Sequence, residues 1–330
     1  MASRKDISRS ERLVITNGVA PPPIRASRLH PYLRFPLLAI ISLSLNVFLL
    51  SVSSNVLGLE LGRVSRSLNE PWQPAAYLGW KVFELGVEWY LNYDDLDITS
   101  LTLLVQAPQL YLLLTYYTIP RSALALRLAI EVASVALPTK LLRPRSVIHN
   151  PNAPSAAVPN RILINSFQVM ASCTVLAAGS YALAIYAASY FGLPTFIVQH
   201  FEVVTVANAH ESTIFSLAIL FIPVGWAAQM FLLTPSWGAQ TKLGDAAASA
   251  FNPTTASLGE TVKHNVWGWS KRTKALAKQT AVVLVMVYVN TVHKVSTLEG
   301  TDPIGAVGYA GIWVAANVLV AAMFEWVGKV

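Results

Sequence analysis

The chain has 330 residues, of which 54% are hydrophobic and only 12% charged, with a formal net charge of +7 and one cysteine. Soluble domains carry about 25% charged residues, so the composition excludes an ordinary soluble globule. A single cysteine, Cys173, excludes an intrachain disulfide framework and any metal site built on several cysteines.

Residues 1–34 form a basic tail with seven Lys/Arg. The next 25 residues, Phe35–Leu59, contain no group that is charged at neutral pH until Glu60. Roughly 20 apolar residues cross a bilayer as a helix, because a helix satisfies its own backbone donors and acceptors where no water can. The apolar core is too long for a cleavable signal, so a retained signal-anchor is expected; a transit peptide in the tail is the weaker alternative. Similar runs follow at Ile98–Ile119, Ile162–Phe191, Ser212–Leu233, Thr280–Val292 and Ile304–Phe324. The short alternating segments of an outer-membrane barrel are absent.

Two further segments are amphipathic. Trp80–Asp97 places Lys81, Glu84 and Glu88 on one helical face, and Ser122–Leu142 carries Arg127 and Glu131 four residues apart, where they can pair. A charge at mid-bilayer costs about 2.5–3.5 kcal/mol even on the lenient insertion scale. Both segments are therefore read as surface helices, and the Lys81 face is expected to be wet or paired with another part of the protein. Promoting both to spans gives an eight-span alternative with the same ends.

The expectation is an all-α, polytopic integral membrane helical bundle of six spans with amphipathic surface helices. It divides into the basic tail 1–34, a first membrane half 35–142, a proline-rich linker 143–160 and a second membrane half 161–330. With the N-terminus inside, the inside segments hold 20 of the 24 Lys/Arg and the outside segments 11 of the 17 acidic residues. Lys and Arg mark the cytosolic side, so both termini are expected in the cytosol. The endoplasmic reticulum or another endomembrane is favoured, with the mitochondrial inner membrane as the alternative. Because the basic charge is divided among three loops on one membrane side, nucleic acid is not an expected partner.

The stretch "FIVQHFEVVTVANAHE" brings His200, Glu202, His210 and Glu211 together between apolar runs. As one helix, His200 and Glu211 would stand about 16 Å apart along the axis and His210 on another face. The two-histidine i, i+4 signature of a helical zinc site is missing. These four are read as polar residues at the headgroup level, with a low-odds polar site as the alternative. The basic loop before the fifth span, with Lys263, Trp267, Trp269, Lys271, Arg272, Lys274 and Lys278, has the chemistry of an anionic leaflet surface and is expected to lie on it as an amphipathic helix.

Small residues recur at helical spacing, as Gly305, Gly308, Gly311, Ala315 and Ala322 in the last span and Ala178, Ala182 and Ser180, Ala184, Ala188 in the third. Such faces let helices approach closely, within the chain or against a membrane-protein partner or second copy. Nucleotide-binding and nucleophile-elbow motifs are absent, and no catalytic, cofactor or metal set is predicted. The leading functional expectation is a non-catalytic membrane protein that organises a complex or lipid environment. A small-molecule carrier or channel without intramembrane charge coupling is the alternative, and a membrane-embedded lipid-modifying enzyme the third class. A polar cavity reaching mid-membrane would favour the carrier; a pocket joining the histidines and glutamates of 200–211 would favour the enzyme.

Overall fold

A computed structural model describes residues 30–67, 70, 72–150, 153, 158, 160–239, 256–259, 261–262 and 269–328. The chain is an all-α helical bundle; among the described residues the only β pairing is an isolated bridge between Ser65 and Leu298. The first half contains α1 (Pro31–Val52), α2 (Ser54–Gly62), α3 (Trp72–Tyr90), α4 (Asp95–Thr115) and α5 (Arg121–Leu142). The second contains α6 (Arg161–Asn165), α7 (Phe167–Tyr190), α8 (Leu193–His200), α9 (Ala207–Glu211), α10 (Ile214–Leu220) and α11 (Ile222–Ala228). A π-helical turn (Gln229–Leu233) leads into α12 (Thr234–Ala239), and α13 (Lys271–Val295) and α14 (Pro303–Val327) complete the bundle.

Local chemistry sets the helix starts. Asp94 caps α4 by accepting from the N–H groups of Leu96 and Asp97, while the Asp97 carboxylate accepts from the Asp94 N–H, a reciprocal capping box. Asp302 caps α14 through the Gly305 N–H, with Pro303 in the first turn, where a missing N–H leaves no bond unmade. Gly300, at φ +69°, makes the turn before it; a side chain there would also collide with Glu202.

Contacts between loops define the two ends of the bundle. At one end Arg143 reaches the carbonyls of Trp89 and Tyr93, Arg161 that of Asn150, Ser236 that of Arg272, and Arg272 that of Phe324. Phe35, early in α1, packs on Trp89 at the same end. At the other end the Arg66 N–H donates to Thr297, the Glu299 N–H to Val64, those of Val204 and Thr205 to Tyr116, and that of Asp302 to His200. Helices α1, α4, α7 and α13 therefore run from the first end to the second, and α3, α5, α10–α12 and α14 return. That makes eight helical passes, with His30 and Gly328 both at the first end.

Six of these helices are long and apolar enough to cross a membrane: Tyr32–Val52, Asp95–Thr115, Arg121–Leu142, Phe167–Tyr190, Lys271–Val295 and Pro303–Val327. The pair Ile214–Leu220 and Ile222–Ala239, bent by 59°, raises the number to seven if it is one broken span. Phe221 marks the break and Pro223, in the first turn of the second piece, supplies the cause, since proline lacks the N–H that would continue the helix. The surface placement expected for Ser122–Leu142 is overturned. This segment is α5, one of the six, wedged between α1 and α4 with Glu131 and Ser134 buried. Arg127 and Glu131 pair with each other as expected, and further partners from other helices make their burial tolerable.

The eighth pass, α3, fails a composition test because it carries Lys81, Glu84 and Glu88. Its amphipathicity is inverted relative to a soluble protein. Glu84 and Glu88 are only 8% and 7% exposed, whereas Leu78 and Phe83 are each 54% exposed. The charged face turns inward, where Lys81 pairs with Glu84 and Glu131, and the apolar face points out, the arrangement suited to a helix in lipid.

Small residues mediate close approaches inside the chain. A Cβ on Gly225 of α11 would lie 2.8 Å from the Ala178 nitrogen of α7 and closer still to the Thr174 carbonyl. Gly305 and Gly308 of α14 lie under His200 and Phe196 of α8, while Gly311 has nothing within 4 Å. Gly225→Ala should destabilise the protein by roughly 1–3 kcal/mol, because backbone must give way. Gly311→Ala should be neutral or slightly stabilising through helix propensity. Thermal unfolding of the two variants in detergent checks the contrast.

Candidate functional site

Between α1, α3, α5 and α13 lies a partly open cavity of ≈ 200 Å³. Ser42 and Asn46 line it from α1, Tyr77, Trp80, Lys81 and Glu84 from α3, Arg127, Glu131 and Ser134 from α5, and Asn290, His293 and Lys294 from α13. Leu43, Leu85 and Val135 complete the wall.

Glu131, the eleventh of the twenty-two residues of α5, is the centre of the charge pattern. Its Oε2 lies 3.3 Å from Lys81 Nζ; its Oε1 lies 3.1 Å from Arg127 and 3.6 Å from Lys294 Nζ. Lys81 also lies 3.3 Å from Glu84, whose other oxygen accepts from the Trp80 indole at 3.0 Å. Lys294 makes its short hydrogen bond, 2.7 Å, to the neutral amide of Gln106 on α4. One face of the cavity is therefore a carboxylate shared by three cations. The Ser134 hydroxyl donates to the Glu131 carbonyl and accepts from Asn46, and its own carbonyl accepts from Ser42, which draws α1 onto α5. The opposite wall is aromatic: the Tyr77 and His293 rings lie 4.0 Å apart and the Tyr77 hydroxyl donates to the His293 carbonyl.

Glu88, one turn after Glu84, is buried, its Oε2 has no hydrogen-bond partner, and no described cation lies within 4 Å of its carboxylate. The two glutamates should respond oppositely to removal of charge. Glu131→Gln leaves the half-buried Arg127 and Lys294 without a carboxylate within 4 Å and Lys81 with Glu84 alone, and should destabilise by up to roughly 3 kcal/mol. Glu88→Gln removes a buried charge with no partner and should leave stability unchanged or raise it. Thermal unfolding of both variants reads the difference.

A second polar cluster lies at the first end of the bundle. Asp94 Oδ2 accepts from the Ser146 N–H and hydroxyl and faces His149 Nδ1 at 2.7 Å, while Arg145 forks onto Asp95 at 2.7–3.1 Å. Asp94, Asp97 and His149 present ligand atoms within 4.8 Å of one another, close enough to be considered for a metal ion. Asp94, however, already accepts from three backbone N–H groups and a hydroxyl besides facing His149, so the arrangement is that of an ion-pair latch between the α3–α4 turn and the loop after α5. Burial is the largest single influence and opposes both charges, but the hydrogen bond between them, the neighbouring charges and the backbone donors together outweigh it: Asp94 is held well below the usual carboxylate range and His149 is raised above its ordinary value. The His149 contribution is complete below about pH 6.5 and is lost as pH rises through its raised value; the Asp94 contribution is complete above about pH 4 and is lost as pH falls through its lowered one. The stability difference between the wild type and His149→Gln should therefore be largest between about pH 4 and 6.5 and shrink on either side. Unfolding across that range is the measurement.

The polar stretch of 196–211 does not gather into a pocket. His200 ends α8 and pairs with Asp302 at 2.8 Å, while Glu202, His210 and Glu211 are exposed. Lys263 and Trp267 of the basic loop lie outside the described residues, as do residues 1–29 of the tail and seven of the eighteen linker residues. Lys271, Arg272, Lys274 and Lys278 occupy the first two turns of α13, a membrane-length helix, rather than a separate surface helix. Arg272 is buried and donates to the Phe324 and Glu325 carbonyls in the last turn of α14. Trp269, Lys271, Lys274 and Lys278 are exposed at the same end.

The sequence pointed to part of the cavity through the charged face of α3 and the Arg127–Glu131 spacing. It did not reveal that Lys294 joins them, nor that His149 meets Asp94, because partners far apart in sequence leave no local pattern. Searches against protein families, curated proteins and solved structures return no match.

Proposed function

We propose that the protein is a membrane carrier or channel for a small polar solute, with the cavity between α1, α3, α5 and α13 as its binding site. The observation that carries this reading is the cavity itself: six ionisable side chains, Lys81, Glu84, Arg127, Glu131, His293 and Lys294, line a partly open space between four helices of a membrane bundle. Helix association needs only small residues and amides, and buried ion pairs do not in general add stability over apolar packing. Intramembrane charges that face a cavity mark substrate and ion pathways. This departs from the expectation of a carrier without intramembrane charge, whose premise was that α5 lies on the surface. The non-catalytic organiser remains the second reading, supported by the fact that each of the three cations has a carboxylate within 4 Å.

The eight passes favour the eight-span topology with both termini on one side. Among the described residues nine Lys/Arg (Arg34, Lys140, Arg143, Arg145, Arg161, Lys271, Arg272, Lys274 and Lys278) lie toward the first end, three (Arg63, Arg66, Arg121) at the second and three in the cavity. By the positive-inside rule the first end is cytosolic, which puts Lys271, Lys274 and Lys278 against the anionic leaflet and leaves an endomembrane as the favoured location. With Cys173 replaced, single cysteines at positions 150 and 205 should label from opposite sides of sealed vesicles; labelling from one side would sink this topology.

The functional test is stopped-flow flux of small polar solutes into proteoliposomes. Flux above empty liposomes is expected, and Leu43→Trp, which fills the cavity while leaving every charge in place, should abolish it. No flux of any solute would return the protein to the organiser reading.

A further inference from the structure

We infer that the ligand of this cavity is a small organic monocarboxylate, held through its carboxylate by Lys294 and Arg127. The inference rests on the carrier reading for its consequence but on the charge pattern for its chemistry. The lining residues present three cations, Lys81, Arg127 and Lys294, against two carboxylates, Glu84 and Glu131. Glu88, the nearest further carboxylate, does not line the cavity and has no described cation within 4 Å, so it does not serve as the missing counter-ion.

The shortfall is greatest at Lys294. Lys81 is shared by two carboxylates, each at 3.3 Å, and Arg127 bonds Glu131 at 3.1 Å. Lys294 stands 3.6 Å from Glu131, beyond hydrogen-bond distance, and its short bond goes to an uncharged amide. A charge-assisted hydrogen bond to a carboxylate is roughly twice as strong as one to a neutral acceptor. An incoming carboxylate would supply Lys294 with such a bond and would meet the Arg127 guanidinium, which is 30% exposed and retains donors beyond the one directed at Glu131.

Shape and polarity restrict the rest of the ligand. The cavity, ≈ 200 Å³, is smaller than the 300–1,000 Å³ typical of drug-sized sites. Leu43, Leu85, Val135 and the Trp80 ring supply the apolar part of the lining. A carboxylate with a short apolar tail matches both surfaces. An amine would face three like charges, and a neutral alcohol would leave the surplus cation without a counter-ion.

The test uses the whole chain in lipid nanodiscs, with butyrate, butylammonium and butanol as probes of similar size and different charge, followed by isothermal titration and by Trp80 emission in a variant whose other eight tryptophans are replaced by phenylalanine. Saturable butyrate binding is expected, with neither of the others competing. Affinity should fall roughly tenfold or more in Lys294→Gln, as expected for loss of a charge-assisted bond, and recover in Lys294→Arg, which keeps the charge. Arg127→Gln should weaken butyrate as well, so the inference does not hang on one variant's folding. Equal binding of all three probes, or butyrate binding indifferent to both Lys294→Gln and Arg127→Gln, overturns it. In proteoliposomes, flux of butylammonium or butanol without butyrate overturns the anion assignment while the carrier reading stands. Butyrate binding without flux supports the anion site and overturns the carrier.

Discussion

The Glu131 carboxylate, midway along α5, is the constraint around which the first half of the bundle is built. A carboxylate at that depth is costly unless cations and donors replace its lost water. Here they come from α3 through Lys81, from α5 itself through Arg127 and from α13 through Lys294. Each of those helices is held in rotation and register by the requirement that its cation reach one of two oxygens. The orientation of α3 follows directly: once Lys81 turns inward, Glu84 and Glu88 turn with it, and Leu78 and Phe83 are left on the outside.

Elsewhere the helices are joined by side chains that bond to backbone. Arg143 spans the carbonyls at the end of α3, and Arg272 those at the end of α14. Asn290 donates to the Val105 carbonyl and Tyr309 to that of Pro108 on α4. Each such bond satisfies a group that would otherwise lack a partner away from water. These contacts tie α13 and α14 to α4, the most buried of the candidate spans. The charged cavity thus has one rigid wall, α13 braced on α4, facing the lightly packed pair α1 and α3.

The broken span α10–α12 sits elsewhere. It packs on α7 through Gly225, continues through a π-helical turn where Gln229 bonds Thr234, and contributes no residue to the cavity. Irregular helix at membrane depth persists only where protein surrounds it, and Gln229, Phe231, Leu232 and Leu233 are all fully buried. The bend and the charged site are separate features of the bundle.

Sequence alone determined that the protein is an α-helical membrane bundle, because uncharged runs of membrane length have no other stable form in lipid. It also located most helices and the pairing of Arg127 with Glu131, since those depend on residues near in the chain. Tertiary structure decided that α5 is a full pass rather than a surface helix and that α3 turns its charges inward. It alone brought Lys294 to Glu131 and His149 to Asp94. The reason is physical: the cost of placing a charge in the membrane can be read from composition, but whether that cost is offset depends on partners 50 to 163 residues away, and distance in sequence carries no record of contact in space.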